Sequence, residues 1–173
     1  MKKVLLNIIF LVIAGVTGNA QAADGTIHFT GSISDQTCTI DSGSQSLNVD
    51  LGNVAQAALN GAAGIKASPT RFTLLLSQCP DTVTGASVKF DGTPDQLDTT
   101  LLALDDDTDA ATGVGIEIAN MDGSVIPLHS ASSDYTLAEG NNELRFLARY
   151  VSTGAAVTPG KANGTSEFTI NYK

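Results

Sequence analysis

Apolar and polar residues alternate with a period of two along most of this chain, which predicts β-strands rather than helices. Ile27, Phe29 and Ile33 alternate with Thr26, His28, Thr30, Ser32 and Ser34, so Ala23 to Thr37 reads as a strand with one apolar face. Gly31 occupies that face without a side chain. The stretch has no hairpin partner, and an apolar strand near a chain end is a liability unless another chain receives it. Leu47, Val49 and Leu51 then alternate with Asn48 and Asp50 until Gly52-Asn53 breaks the run. Ala55 to Gly64 is Ala-rich and predicts a short helical turn or a loop.

Further along, Phe72, Leu74 and Leu76 alternate up to Cys79-Pro80, and Val88 with Phe90 predicts a short strand closed by Asp91-Gly92. Val114, Ile116 and Ile118 follow, stopped by the turn signal Asp122-Gly123. Val125 to Leu128 contains Pro127 and is expected at an edge, because proline cannot donate to a ladder. Leu144, Phe146, Ala148 and Tyr150 share one face opposite Arg145 and Arg149. After a Gly/Pro loop from Gly154 to Gly164, Phe168, Ile170 and Tyr172 share a face opposite Glu167, Thr169, Asn171 and Lys173. Seven or eight short strands with polar turns and no long helix predict an all-β sandwich.

The first residues belong to a different pattern. Lys2 and Lys3, the apolar run Val4 to Val16 and the small-x-small sequence Ala20-Gln21-Ala22 predict a secretory signal peptide at 1–22. An apolar run of about thirteen residues is short of the about twenty that a membrane span needs. Cleavage after Ala22 leaves 173 − 22 = 151 residues, which suits a single domain at 23–173. The exported chain is expected to be soluble.

Charge and cysteine content narrow the function. Without Lys2 and Lys3 the chain has seven basic residues against eighteen acidic ones, a net charge of −11. That disfavours nucleic acid and anionic membranes as partners, since both demand positive charge. The two cysteines of an exported chain, Cys38 and Cys79, read as one disulfide. Free thiols or a redox pair are the alternatives, but the spacing is far from C-x-x-C. A bridge closing about forty residues is worth roughly 4 kcal/mol in the chain-entropy model.

Candidate chemistry is sparse. Asp105-Asp106-Asp107-x-Asp109 invites a calcium reading, yet Ala110 and Ile116 stand where an EF-hand loop wants Gly and Glu, so a solvated acidic loop is expected. His28 and His129 are the two histidines, too few for a typical copper or zinc site. No G-x-S-x-G, C-x-x-C or phosphate-cradling loop occurs, and no histidine is placed to complete a triad. No catalysis, cofactor or metal is expected.

Five motifs in order resemble a known family. They are Ala23-Asp24-Gly25-Thr26-Ile27-His28-Phe29-Thr30-Gly31-Ser32-Ile33 ahead of Cys38; Leu51-Gly52-x-Val54; Phe72-x-Leu74-x-Leu76-x-x-Cys79; Ala148-Arg149-Tyr150 with Thr153-Gly154; and Gly160 fourteenth from the end with a penultimate Tyr172. Over the whole mature length the chain resembles subunits of chaperone–usher fimbriae of the type 1 kind. The resemblance implies an incomplete immunoglobulin-like sandwich that misses its last strand and leaves a groove along the core. A periplasmic chaperone fills the groove first. At the outer-membrane usher, the N-terminal extension of the next fimbrial subunit replaces it, and repetition builds a surface fimbria that supports cell adhesion.

Carried over by resemblance, the donated strand is 23–34, with Gly25, Ile27, Phe29, Gly31 and Ile33 on its inserted face. The edge met by the chaperone is Phe168, Ile170, Tyr172 and Lys173, with Gly160 upstream. The implied route runs through the periplasm to the cell-surface fimbrium. Asn163-Gly164-Thr165 fits a glycosylation sequon, which such a family leaves idle. One alternative is a non-polymerising receptor-binding adhesin or invasin at the tip. The family's two-domain adhesins carry a lectin domain first, whereas only a short strand precedes Cys38 here. A secreted copper–zinc dismutase is a further alternative, disfavoured by the two histidines.

Overall fold

The computed structural model describes residues 27–31 and 37–173. The chain divides into two units, Met1–Ile33 and Ser34–Lys173. The expected signal peptide, Gly25 and Ile33 lie outside the described residues. In the first unit, Ile27 to Gly31 form no ladder with another strand, and Ile27 and Phe29 are 78% and 91% exposed.

The second unit is a sandwich of two antiparallel sheets. Its strands are β1 (Thr39–Ile40), β2 (Thr70–Cys79), β3 (Gly85–Asp91), β4 (Val114–Asn120), β5 (Tyr135–Thr136), β6 (Gly140–Ser152) and β7 (Glu167–Tyr172). One sheet has the order β1-β2-β6-β4 and the other β5-β3-β7. Alternation decides which side chains meet between them. Leu74 and Leu76 of β2, Ala86, Val88 and Phe90 of β3, and Leu144, Phe146 and Ala148 of β6 point inward and are buried. With no Trp in the chain, phenylalanine fills the middle. The Phe146 ring centroid lies 5.5 Å from Phe72 and 5.1 Å from Phe90, the latter pair nearly perpendicular at 87°, the edge-to-face arrangement that ring quadrupoles favour.

Cys38 and Cys79 form a disulfide that ties the start of β1 to the end of β2. The β2–β6 register shifts between Leu76 and Cys79. Gln78, at φ 53, absorbs that bulge. After β1 the chain makes one four-residue helix, α1 (Ser42–Gln45), capped by the Asp41 carboxylate accepting from Gly43 N at 2.9 Å. The helix is pinned to the sheet because buried Ser44 Oγ accepts from Leu75 N at 2.8 Å.

Two expected elements turned out differently. The alternating run Leu47-Val49-Leu51 joins neither sheet: among the described residues, Leu47 to Val54 make no backbone-to-backbone hydrogen bond. Val125 to Leu128 is a single bridge beside β4 rather than a strand, with Ile126 N donating to Ile118 O at 2.9 Å. Pro127 prevents the ladder from continuing. The Ala-rich stretch forms a short 3-10 turn, Gln56–Ala58.

Candidate strand-acceptor groove

A groove of about 1330 Å³ opens between Ser46–Val54 on one side and the chain from Val157 to Phe168 on the other. Its floor is the inner face of the sandwich, with Phe72, Leu74, Phe90, Ile116 and Ile118 exposed to it. Tyr150 stands in the floor and donates its hydroxyl to Ala162 O at 2.8 Å, which fixes the upper rim. Burial and the nearby Asp50 carboxylate push that phenol above its usual range.

Beside the groove, β7 bonds to β3 through one edge of its backbone. Lys173 N donates to Gly85 O at 2.8 Å and Gly85 N donates to Lys173 O at 3.2 Å, so these residues form a hydrogen-bonded pair. Bonding direction alternates along a strand. Asn171, Thr169 and Glu167 therefore also face β3, while Phe168, Ile170 and Tyr172 turn their N–H and C=O groups to the opposite edge. That edge has no partner strand among the described residues. Bare edges of this kind are templates for another strand.

The residues singled out from the sequence fall into place unevenly. Phe168, Ile170 and Tyr172 are half-buried and pack on the core from one face of β7. Phe168 and Gly160 line the groove, whereas Ile170, Tyr172 and Lys173 lie along the same edge beyond it. Gly160 has a steric reason: a Cβ there would come within 2.5 Å of Ala111 N and of Asp109 O. That close approach lets Ala111 N donate to Lys161 O at 2.7 Å. The Tyr172 hydroxyl is buried without a hydrogen-bond partner, and burial raises its pKa. Lys173 pairs with Asp134 at 2.5 Å, and its backbone oxygen accepts from Thr84 N at 2.9 Å. Ile27, Phe29 and Gly31 sit in the other unit.

Sequence reading missed the second wall and the rim. Leu47, Val49 and Leu51 carried the alternation but not the information that they would stand apart from both sheets. Asp105 belongs to the acidic run read as a solvated loop. Its carboxylate accepts from Thr165 N at 3.1 Å and from Thr165 Oγ1 at 3.2 Å, holding the groove's rim.

A two-sheet, immunoglobulin-like sandwich, with an apolar-floored groove beside a last strand whose far edge has no partner strand among the described residues, defines the class of molecule. The family model for "Fimbrial protein" matches residues 27–173, and the chain belongs to that family. It is 35% identical over 175 residues to long polar fimbria protein A of Salmonella typhimurium, covering 100% of this chain and 98% of that protein. It is 38% identical over 184 residues to the type 1 fimbrial subunit of Klebsiella pneumoniae, covering all of both. The crystal structure of an antigen and type I fimbria protein of Burkholderia pseudomallei is similar, with TM-score 0.62 and 38% identity over 86% of this chain and 97% of that one. The P pilus rod subunit PapA is similar at TM-score 0.66 and 25% identity, over 79% and 99%. The chain is a fimbrial subunit.

Proposed function

We propose that this chain is a structural, non-enzymatic subunit of a chaperone–usher surface fimbria. It polymerises by lending its segment 23–34 to the groove of a neighbouring subunit. The observation that carries the reading is the pairing of a bare β7 edge with an apolar-floored groove in a member of the fimbrial family. An inserted strand gains backbone hydrogen bonds at the edge and places alternate side chains in the groove. Ile27 and Phe29 are almost fully exposed, so they have most of their transfer free energy left to gain. Burying Ile27, Phe29 and Ile33 at about 1.5–3 kcal/mol each yields roughly 5–9 kcal/mol. That matches the whole net stability of a typical domain, about 5–15 kcal/mol. An empty acceptor is thus marginal and a filled one firm, which gives a periplasmic chaperone its task.

In this reading Gly25, Ile27, Phe29, Gly31 and Ile33 form the inserted face. Phe168, Ile170, Tyr172 and Lys173, with Gly160, form the accepting edge for chaperone and neighbour alike. The test is periplasmic expression with and without the cognate chaperone, followed by electron microscopy of the cell surface. Degradation without chaperone and heat-stable multimers with it are expected. A chain that remains a stable monomer in both conditions, even with residues 23–34 removed, would falsify the proposal.

A further inference from the structure

The groove carries charge of one sign. Asp50, Asp105 and Glu167 line it, and no Lys or Arg does. Asp50 accepts from Gly52 N, and Asp105 from Thr165. Among the described residues, none of the three carboxylates makes an ion pair with a basic side chain. The cations are engaged elsewhere. Lys2 and Lys3 aside, the chain has seven Lys and Arg residues. Lys66 and Arg149 bind Glu117, Lys89 binds Asp91, and Arg145 binds Glu143. Lys161, beside the rim in sequence, is held by Asp109 at 2.9 Å, and Lys173 by Asp134 at 2.5 Å. Arg71 is exposed on the face of β2 opposite Phe72 and Leu74.

A strand laid along β7 would feel this rim. The alternation that turns Phe168 inward turns Glu167 outward, and on the other wall Asp50 is exposed between half-buried Val49 and Leu51. Outward side chains of an inserted strand would therefore pass between two uncompensated carboxylates. The chain's own segment 23–34 brings Asp24 and no Lys or Arg to that position.

We infer that the groove selects its occupant by charge. Its favoured guest is an extended segment of a different polypeptide, with apolar residues alternating inward and Lys or Arg outward, rather than the segment of a second copy. This rests on the strand-acceptor reading above and sharpens it towards mixed assembly. Rim charges act mainly on encounter and choice of partner, and salt weakens them.

The test refolds the chain from Ala23 onward by dilution into fluorescent peptides at pH 8, in low and in 0.5 M salt. The peptides span Ala23 to Ser34 as they stand, with Thr26→Lys and Ser32→Lys, or with Thr26→Glu and Ser32→Glu. Changing both positions makes the result independent of strand direction. At low salt the Lys peptide is expected to bind about two- to fivefold better than the unaltered one, the range of exposed ion pairs, and the Glu peptide worst. High salt should close the gap, as should the acceptor pair Asp50→Asn and Glu167→Gln. Equal binding of all three peptides at low salt overturns the charge selection and leaves strand acceptance standing. A gap that survives the acceptor pair also overturns it. If no peptide binds at all, both proposals fall together.

Discussion

Two terminal strands of this sandwich, β4 in one sheet and β7 in the other, treat their outer edges in opposite ways. β4 is buried along its whole length, although it ends the sheet order β1-β2-β6-β4. Its outer edge is closed by Leu102, which exchanges two 2.9 Å backbone bonds with Ile116, and by Ile126. Its outward carboxylate, Glu117, is 3% exposed and held between Lys66 at 2.6 Å and Arg149 at 2.5 Å. β7 ends the other sheet with alternate residues half-buried and, among the described residues, with no strand along its far edge. One fold can thus close one sheet edge with its own chain and leave another to solvent. An edge of the second kind is where a further strand would be accepted if the proposed function holds. A buried ion-pair cluster and isolated backbone bridges close the edge of β4, and among the described residues neither occurs at β7.

That contrast can be broken experimentally. The largest effect is expected on the protected side. Arg149→Ala leaves buried Glu117 with the half-exposed Lys66 alone, and should cost about 2–4 kcal/mol in urea unfolding. It should leave peptide binding in the groove unchanged. An equal loss of binding would mean that the two edges are coupled.

On the bare side, the effect should depend on occupancy. Phe168→Ala removes a half-buried ring, so it should cost about 1 kcal/mol in the empty domain and about 2–3 kcal/mol with a strand peptide bound. Thermal melts of both forms measure the difference. An identical cost would show that β7 is already as well packed as it can be.

The smallest effect is expected from pH. Hydrogen bonds from His129 and Lys89 hold the Asp91 carboxyl below its ordinary range. A lowered folded pKa contributes stability that is fully present above the unfolded value and fades as pH falls through the folded one. Asp91 is exposed to solvent, so the contribution is small. Asp91→Asn should remove that small contribution at pH 7 and, by the same amount, flatten the acid limb of the stability curve measured by urea unfolding, leaving stability at the acid end the same as in the parent.

The sequence displayed the strands better than it displayed what joins them. β2, β3, β6 and β7 were legible because each has one face in the core, and burial of one face is what writes period two into a strand. Leu47 to Leu51 carry the same signature but make no ladder, since alternation reports a half-buried extended chain and not its hydrogen-bond partner. β4 was legible only through Val114, Ile116 and Ile118. Alternation says nothing of the burial of Glu117 between them, because its two cations stand 51 and 32 positions away. The candidate site divides in the same way. Phe168, Ile170 and Tyr172 are contiguous and could be read as an edge. Asp50, Asp105 and Glu167 come from three distant segments, so their meeting around one groove is a property of the fold alone.

The disulfide has a mechanical corollary. Any pull along the backbone ahead of residue 38 divides at Cys38. One path leads into β1, which is only two residues long; the other crosses the sulfur bridge directly into β2, an interior strand ten residues long. Tension entering at the front of the domain is thus handed covalently to the middle of its larger sheet, and a ladder of only two residue pairs is bypassed.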